Sequence, residues 1–261
     1  MKSRLDIARE GFSKGDVKLS KEAHDAKKIH EEMHKKGGEY LGDAVFGAID
    51  GSITTFAVVS GVAGASLSNS IVLIMGFANL LADGFSMAIG NYLSTKSDME
   101  FAKNERKREE WEIEHFPEGE KKEIMEIYKN KGFKGKDLDA VVKAVTSNKK
   151  LWVDVMVSEE LGIIEEQKNP FKAASITLAA FVIVGFIPLV SYVISYFNRR
   201  ITDIAYPVSV WLTAITFFLI GSAKVSLTGK KWWRSGFETL LIGGAAAGIA
   251  YSVGYLLKGI A

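Results

Sequence analysis

The chain has 261 residues, 48% apolar and 25% charged, with 33 Lys and Arg against 31 Asp and Glu and no cysteine. A net charge of +2 excludes nucleic-acid binding through bulk positive charge, and the lack of cysteine excludes disulfides, thiolate zinc sites and thiol catalysis. The basic residues are segregated, 10 in residues 1–40, 15 in 94–170 and 8 over the other 144 positions, which excludes one uniformly amphipathic globule.

Residues 1–40 carry 18 charges and no apolar stretch, so they read as a cytosolic N-terminal helical segment and not as a secretory leader. A short charged helix is expected from Leu19 to Lys36, and it holds His30-Glu-Glu-Met-His34. That spacing fits H-E-x-x-H, in which two His one turn apart bind zinc and the Glu activates water, so a membrane-bound zinc metalloprotease is one alternative. It needs a third ligand and a substrate cleft, and only His24 and His115 remain as further histidines. An accessory metal contact and a plain solvated helix are the other readings.

Crossing a hydrocarbon core of about 30 Å takes about 20 apolar residues in a helix. Five windows qualify: Ala44 to Ala65, Ser70 to Leu93, Ala173 to Phe197, Ala205 to Leu227 and Gly236 to Leu257, each with at most one Asp, Glu, Lys or Arg. The uncharged Ser-Leu-Ser-Asn at 66–69 joins the first two as a helical hairpin. With residues 1–40, 94–170 and 229–235 in the cytosol, that side holds 28 basic residues, whereas Arg199, Arg200 and Lys258 lie on the far side. Five spans then put the C-terminus across the membrane.

Residues 94–170 carry helical periodicity. Ser97 to His115 continues the second span directly until Pro117 breaks it; Gly119 to Lys131, Lys136 to Ser147 and Lys149 to Glu166 follow. Ile124, Ile127, Tyr128, Leu138, Val141, Val142, Val145, Leu151 and Val155 recur at helical spacing and can close a small core. The expected architecture is an all-α membrane protein: an N-terminal segment at 1–40, transmembrane helices 1–2 within 41–93, a cytosolic helical domain at 94–170 inserted between helices 2 and 3, and transmembrane helices 3–5 within 171–261.

Two constellations carry chemistry. In the inserted segment Glu109 and Glu112, Glu120 and Glu123, and Met156 and Glu160 each share one helix face, and three such pairs can converge on one volume. Carboxylates with a thioether suit Fe²⁺ or Mn²⁺ better than Mg²⁺ or Ca²⁺. Spacing alone leaves open whether these are ligands or surface salt-bridge partners, since 18 acids lie among those 77 residues. In the membrane half, Asp50 and Met87 sit about 9 Å from the cytosolic face on antiparallel helices, at 1.5 Å per residue. An intramembrane acid is a functional candidate by default; packing through a hydrogen bond to Ser or Thr is the rival. Asp43 lies two turns below Asp50 and can start an entry path.

Asp50-Gly-Ser-Ile-Thr-Thr-Phe, Leu81-Ala-Asp-Gly-Phe-Ser-Met-Ala-Ile-Gly-Asn-Tyr-Leu-Ser, Lys107-Arg-Glu-Glu-Trp-Glu and Phe237-Glu-Thr-Leu-Leu-Ile-Gly together resemble the vacuolar iron transporter family over about residues 40–258. The resemblance implies a homodimer that exchanges cytosolic Fe²⁺ or Mn²⁺ for protons. It implies Asp50 and Met87 as the transport site at the dimer interface, Asp43 on the ion path, and Glu109, Glu112, Glu120, Glu123, Met156 and Glu160 as metal ligands of the cytosolic domain. No prosthetic group is implied. Asn79 and Asn91 stand where many relatives carry an acid, which bears on ion preference and proton coupling.

The mechanism expected is a carrier in which metal and protons compete for the same carboxylates. No G-x-x-x-x-G-K-[ST] occurs, so ATP is not implied. Close helix approach between protomers is expected through Gly47 and Gly51, or through Gly244 and Gly248, and the sequence does not choose. The short N-terminus without a sorting sequence favours a prokaryotic cell membrane over a vacuolar one.

Overall fold

The computed structural model describes residues 4–23, 39–164, 168–224 and 231–260. No strand occurs among them, and the chain divides into two compact units, Met1–Gly42 and Asp43–Ala261. In the first unit α1 (Arg4–Lys14) and α2 (Val17–Ala23) form a helical hairpin. Gly15 turns the chain at φ +64°, and the Asp16 carboxylate caps α2 by accepting from the Lys18 N–H at 2.8 Å. The charged helix expected from Leu19 thus starts at Val17. His30 and His34 lie outside the described residues.

Among the described residues five helices are long and apolar enough to cross a membrane. The first is α3 (Leu41–Gly64), and the second is the inner half of α4 (Asn69–His115), which runs unbroken for 47 residues. The third span is interrupted: α8 (Pro170–Gly185) gives way to a 3₁₀ turn at Ile187–Leu189 and then to α9 (Val190–Phe197). Sequence periodicity suggests one continuous helix here. Pro188 explains the break, since it has no N–H to give the ladder, and the Ser209 hydroxyl on the fourth span donates to the Pro188 carbonyl at 2.7 Å. A 3₁₀ stretch, Arg199–Ile204, leads into α10 (Ala205–Ala223), and α11 (Trp232–Leu257) is the fifth span.

The spans are packed with their small and hydroxyl residues inward. Ser52, Thr55, Ser60, Thr177, Ser209, Thr213 and Ser235 are buried, while Ile74, Phe85, Trp211, Leu219, Leu241 and Ile249 face outward. A protein folding in water would bury the second set; in lipid, close backbone packing and internal hydrogen bonds hold helices together instead. Glycines let the spans approach closely. A Cβ at Gly47 would come within 2.3 Å of the Thr177 carbonyl oxygen and one at Gly51 within 2.4 Å of that of Phe181, so these glycines serve α3 against α8 and do not form the open face expected of a contact between chains. Gly244 and Gly248 meet nothing within 4 Å and leave one face of α11 open.

Beyond the membrane-length half of α4 come α5 (Pro117–Asn130), α6 (Gly135–Thr146) and α7 (Lys149–Val155), the last running into a π-helical turn at Met156–Glu160. Together with the outer end of α4 they close a bundle around Ile113, Ile124, Val142, Val145, Trp152, Val153, Val155, Met156 and Val157. Ile127, Tyr128, Leu138 and Val141 pack against that core, but Leu151 is exposed. At 100° per residue Leu151 stands about 140° from Met156, the middle of the buried stripe, and Trp152 with Val153 takes the place expected for it. The last helix also ends at Glu160 instead of Glu166. Gly162, at φ +65°, takes the left-handed conformation that stops a helix, and the Ile163 N–H closes back on the Val157 carbonyl at 3.0 Å.

Candidate metal centre

Pro117 at the first position of α5 folds the chain back sharply after α4, so the first turn of α5 lies beside the last turns of α4. Glu109 and Glu112 come from α4 and Glu120 from α5, and one carboxylate oxygen of each lies within 4.8 Å of the others. Glu109 is 1% exposed and Glu120 6%. Neither oxygen of Glu109, nor Oε2 of Glu120, accepts a hydrogen bond among the described residues. Buried carboxylate oxygens of this kind are satisfied by a proton or by a cation.

The proton affinities agree with that geometry. Burial pushes the Glu109 carboxyl up to about 7, Arg108 working against it and Glu160, Glu112 and Glu123 adding to it. Burial likewise holds Glu120 at about 7, reinforced by Glu123, Glu109, Glu112 and Glu160. Glu160 is raised by burial and by Glu123. Five acids from three elements therefore share one electrostatic volume, with Glu123 and Glu160 on its exposed rim. Met156 is fully buried and opens the π turn, which packs against both α4 and α5. Sequence spacing puts Met156 and Glu160 on an ordinary α-helix; the structure puts them at the two ends of the π turn, whose Leu161 N–H reaches the Met156 carbonyl at 3.2 Å.

Arg108 sits among these acids and is a residue the sequence reading passed over. Its guanidinium lies 3.0 Å from Glu105, 2.8 Å from Oε1 of Glu109 and 2.7 Å from Oε2 of Glu112. The contact with Glu109 is off line for a hydrogen bond, so it acts through charge alone. Glu105 three residues before and Glu112 four after were the available signal. Arg106 with Asp154 and Lys149 with Glu114 tie α7 to α4, and Lys131 meets Glu159 at 2.6 Å.

At the start of the first span Asp43 is buried on α3 and held by an amide and an ammonium. The Asn91 amide on α4 donates to its Oδ1 at 3.0 Å and to the Thr177 hydroxyl on α8 at 2.7 Å, while the Thr95 hydroxyl donates to the Asn91 carbonyl oxygen at 3.2 Å. The Lys168 ammonium donates to Oδ1 at 3.1 Å and stands 2.9 Å from Oδ2. Nothing local in the sequence announces a pair 125 residues apart. Asp50 is half-buried two turns further along α3, within electrostatic reach of Asp83 on α4, and Met87 packs against the spans' apolar core. Asn79, also on α4, has a buried amide nitrogen without a hydrogen-bond partner among the described residues.

The profile of the VIT family matches residues 41–255. The chain is 37% identical to "Vacuolar iron transporter 1" of Arabidopsis thaliana over 88% of this chain and 90% of that protein. It is 36% identical to "Vacuolar iron transporter" of Plasmodium berghei over 98% and 97%, and 34% identical to that of Toxoplasma gondii over 97% and 88%. These names speak of a vacuole, so the leaning toward a prokaryotic cell membrane finds no support in them.

Proposed function

The chain belongs to the VIT family, a family of transporters and not of enzymes, and from that premise we propose that it carries Fe²⁺, and Mn²⁺ by the same chemistry, out of the cytosol in exchange for protons. The observation that carries the reading is the cluster of Glu109, Glu112 and Glu120, in which both oxygens of Glu109 and Oε2 of Glu120 are buried without a hydrogen bond among the described residues. On this reading the helices beyond α4's membrane half form a cytosolic metal-binding domain. Glu109, Glu112, Glu120, Glu123 and Glu160 hold ions there, with the Met156 sulfur favouring first-row transition metals. Asp43 takes the ion into the membrane, and Asp50 with Met87 forms the transport site.

Coupling needs no separate device. A carboxylate that binds a divalent ion gives up its proton, so an ion and protons exclude each other at each acid and travel in opposite directions. The basic residues on the N-terminal side set the orientation. The working form we propose is a homodimer; of the two glycine pairs, Gly244 and Gly248 on α11 are the one left open to a second chain, since Gly47 and Gly51 are packed against α8. The protease reading loses its ground with membership of a transporter family.

Uptake of Fe²⁺, Mn²⁺, Co²⁺, Zn²⁺ and Ca²⁺ into liposomes carrying an internal pH probe tests the proposal. Uptake of Fe²⁺ and Mn²⁺ with matching proton efflux is expected, and weak or no uptake of Ca²⁺. Metal movement without any proton signal would refute the exchange.

A further inference from the structure

Asp43 is a buried acid that already has a cation. Lys168 reaches it from two residues ahead of α8, next to Asn169, which caps the helix by accepting from the Lys172 N–H at 3.1 Å, and Pro170 fixes the first turn. The backbone at Lys168 is therefore anchored while its four-carbon stem is free to swing. Asn91 spends both amide hydrogens, on Asp43 and on Thr177, and its oxygen accepts from Thr95, so the amide is locked and aims the carboxylate. The Lys168 ammonium lies 2.9 Å from Oδ2 but off line for a hydrogen bond, leaving that buried oxygen held by charge alone. A cavity of about 740 Å³, whose lining includes Thr95, Asp98, Lys103, Arg106, Ile163 and Lys168, lies beside the Lys168 side chain.

The geometry points to Lys168 as a tethered cation that occupies Asp43 until a metal ion replaces it, which makes Lys168 a specificity-determining residue for entry. The inference rests on the reading of Asp43 as part of the ion path. A side chain bound to the same fold stands at an effective concentration in the millimolar range or above. A free monovalent ion brings no more charge than the ammonium it would displace and gains nothing by the exchange. A divalent ion doubles the Coulomb attraction at the same distance and displaces the amine. Once freed, the ammonium has the cavity to enter, with Asp98 on its wall. Abundant monovalent cations are thus refused at the first acid of the path, before the transport site is reached.

The test uses the full chain in liposomes, with initial Mn²⁺ uptake measured against Mn²⁺ concentration at low and high KCl and ionic strength held constant with N-methylglucamine. In Lys168→Gln the apparent KM for Mn²⁺ at low KCl is expected to fall about threefold or more, and to climb as KCl is raised, while the parent ignores KCl. Lys168→Arg keeps the charge and should behave as the parent does. On an Asp43→Asn background, Lys168→Gln should change nothing further. An unchanged or higher KM in Lys168→Gln, or a KM that stays blind to KCl, overturns the inference. If Asp43→Asn itself transports with the parent's KM, the path reading fails instead, and the two failures are told apart. A measurement on the unaltered protein stands beside the variants: Mn²⁺ should raise the labelling of Lys168 by a water-soluble amine reagent several-fold, read by peptide mass spectrometry. Labelling that Mn²⁺ leaves unchanged overturns the inference even if no variant folds.

Discussion

At the outer end of α4, five acids share one volume with a single arginine at its side, whereas at the foot of α3 a single acid faces one lysine and one amide. Arg108 has a side chain 44% exposed and divides its charge among three glutamates; Lys168 is 19% exposed and gives all of its charge to Asp43. In the first place negative charge is in excess and the acids push one another toward protonation. In the second, positive and negative charge are matched. An excess of carboxylate gathers ions from dilute solution and surrenders them as protons arrive; a matched pair admits an ion only by exchange. On the proposed reading, one region collects and the other selects.

The sharpest way to break this comparison lies further along the proposed path. Asp50→Asn leaves a neutral side chain that cannot trade a charge, and metal-driven proton movement should drop about a hundredfold or to background, with Mn²⁺ binding to the bundle unchanged by calorimetry. Normal exchange in that variant would take Asp50 out of the mechanism. Changing Glu109, Glu112, Glu120, Glu123 and Glu160 together to Gln should abolish multi-ion binding and lower transport about tenfold at low metal, with partial recovery at high metal, because the lost function is local concentration. Transport at zero for every metal concentration would make the bundle a gate and erase the distinction.

The pH dependence sharpens it next. Glu109 and Glu120 stand at about 7 against an ordinary 4.5, so the metal-free fold binds more protons than the unfolded chain across that window, and its stability should fall as pH rises from 4.5 to 7. Thermal unfolding followed by circular dichroism should give a higher Tm at pH 5.5 than at 7.5 without metal. Saturating Mn²⁺, which needs the charged acids, should reverse the order. An apo Tm that climbs toward pH 7.5 would contradict the shared electrostatic volume. The smallest effect is expected from Met87→Ala, which should spare bundle binding and lower Fe²⁺ transport by about two- to fivefold relative to Mn²⁺, the harder ion.

What could be read from residues alone follows interaction range. The five apolar runs, the break at Pro117 and the acid pairs three or four apart are local signals, and the structure has the corresponding five apolar helices, that break and Glu109, Glu112 and Glu120 together. Lys168 and Asn91 lie 125 and 48 positions from Asp43, and no periodicity relates them. The break at Pro188 was legible in principle; apolar composition hid it, because hydropathy cannot separate a straight span from a broken one. The π turn escaped notice since one extra residue in a helix leaves no mark on composition.

The unbroken length of α4 has a mechanical consequence. At 1.5 Å per residue its 47 residues make a rod of about 70 Å, and no proline interrupts it. A rod without a hinge rotates as one piece. If its membrane half tilts by about 10° around the middle of the span, Glu109 sweeps through about 7 Å, because it stands some 28 residues from that pivot. The acid cluster is then a pointer fixed to the end of a lever, and its displacement reads out, magnified and in water, the movement of a helix surrounded by lipid.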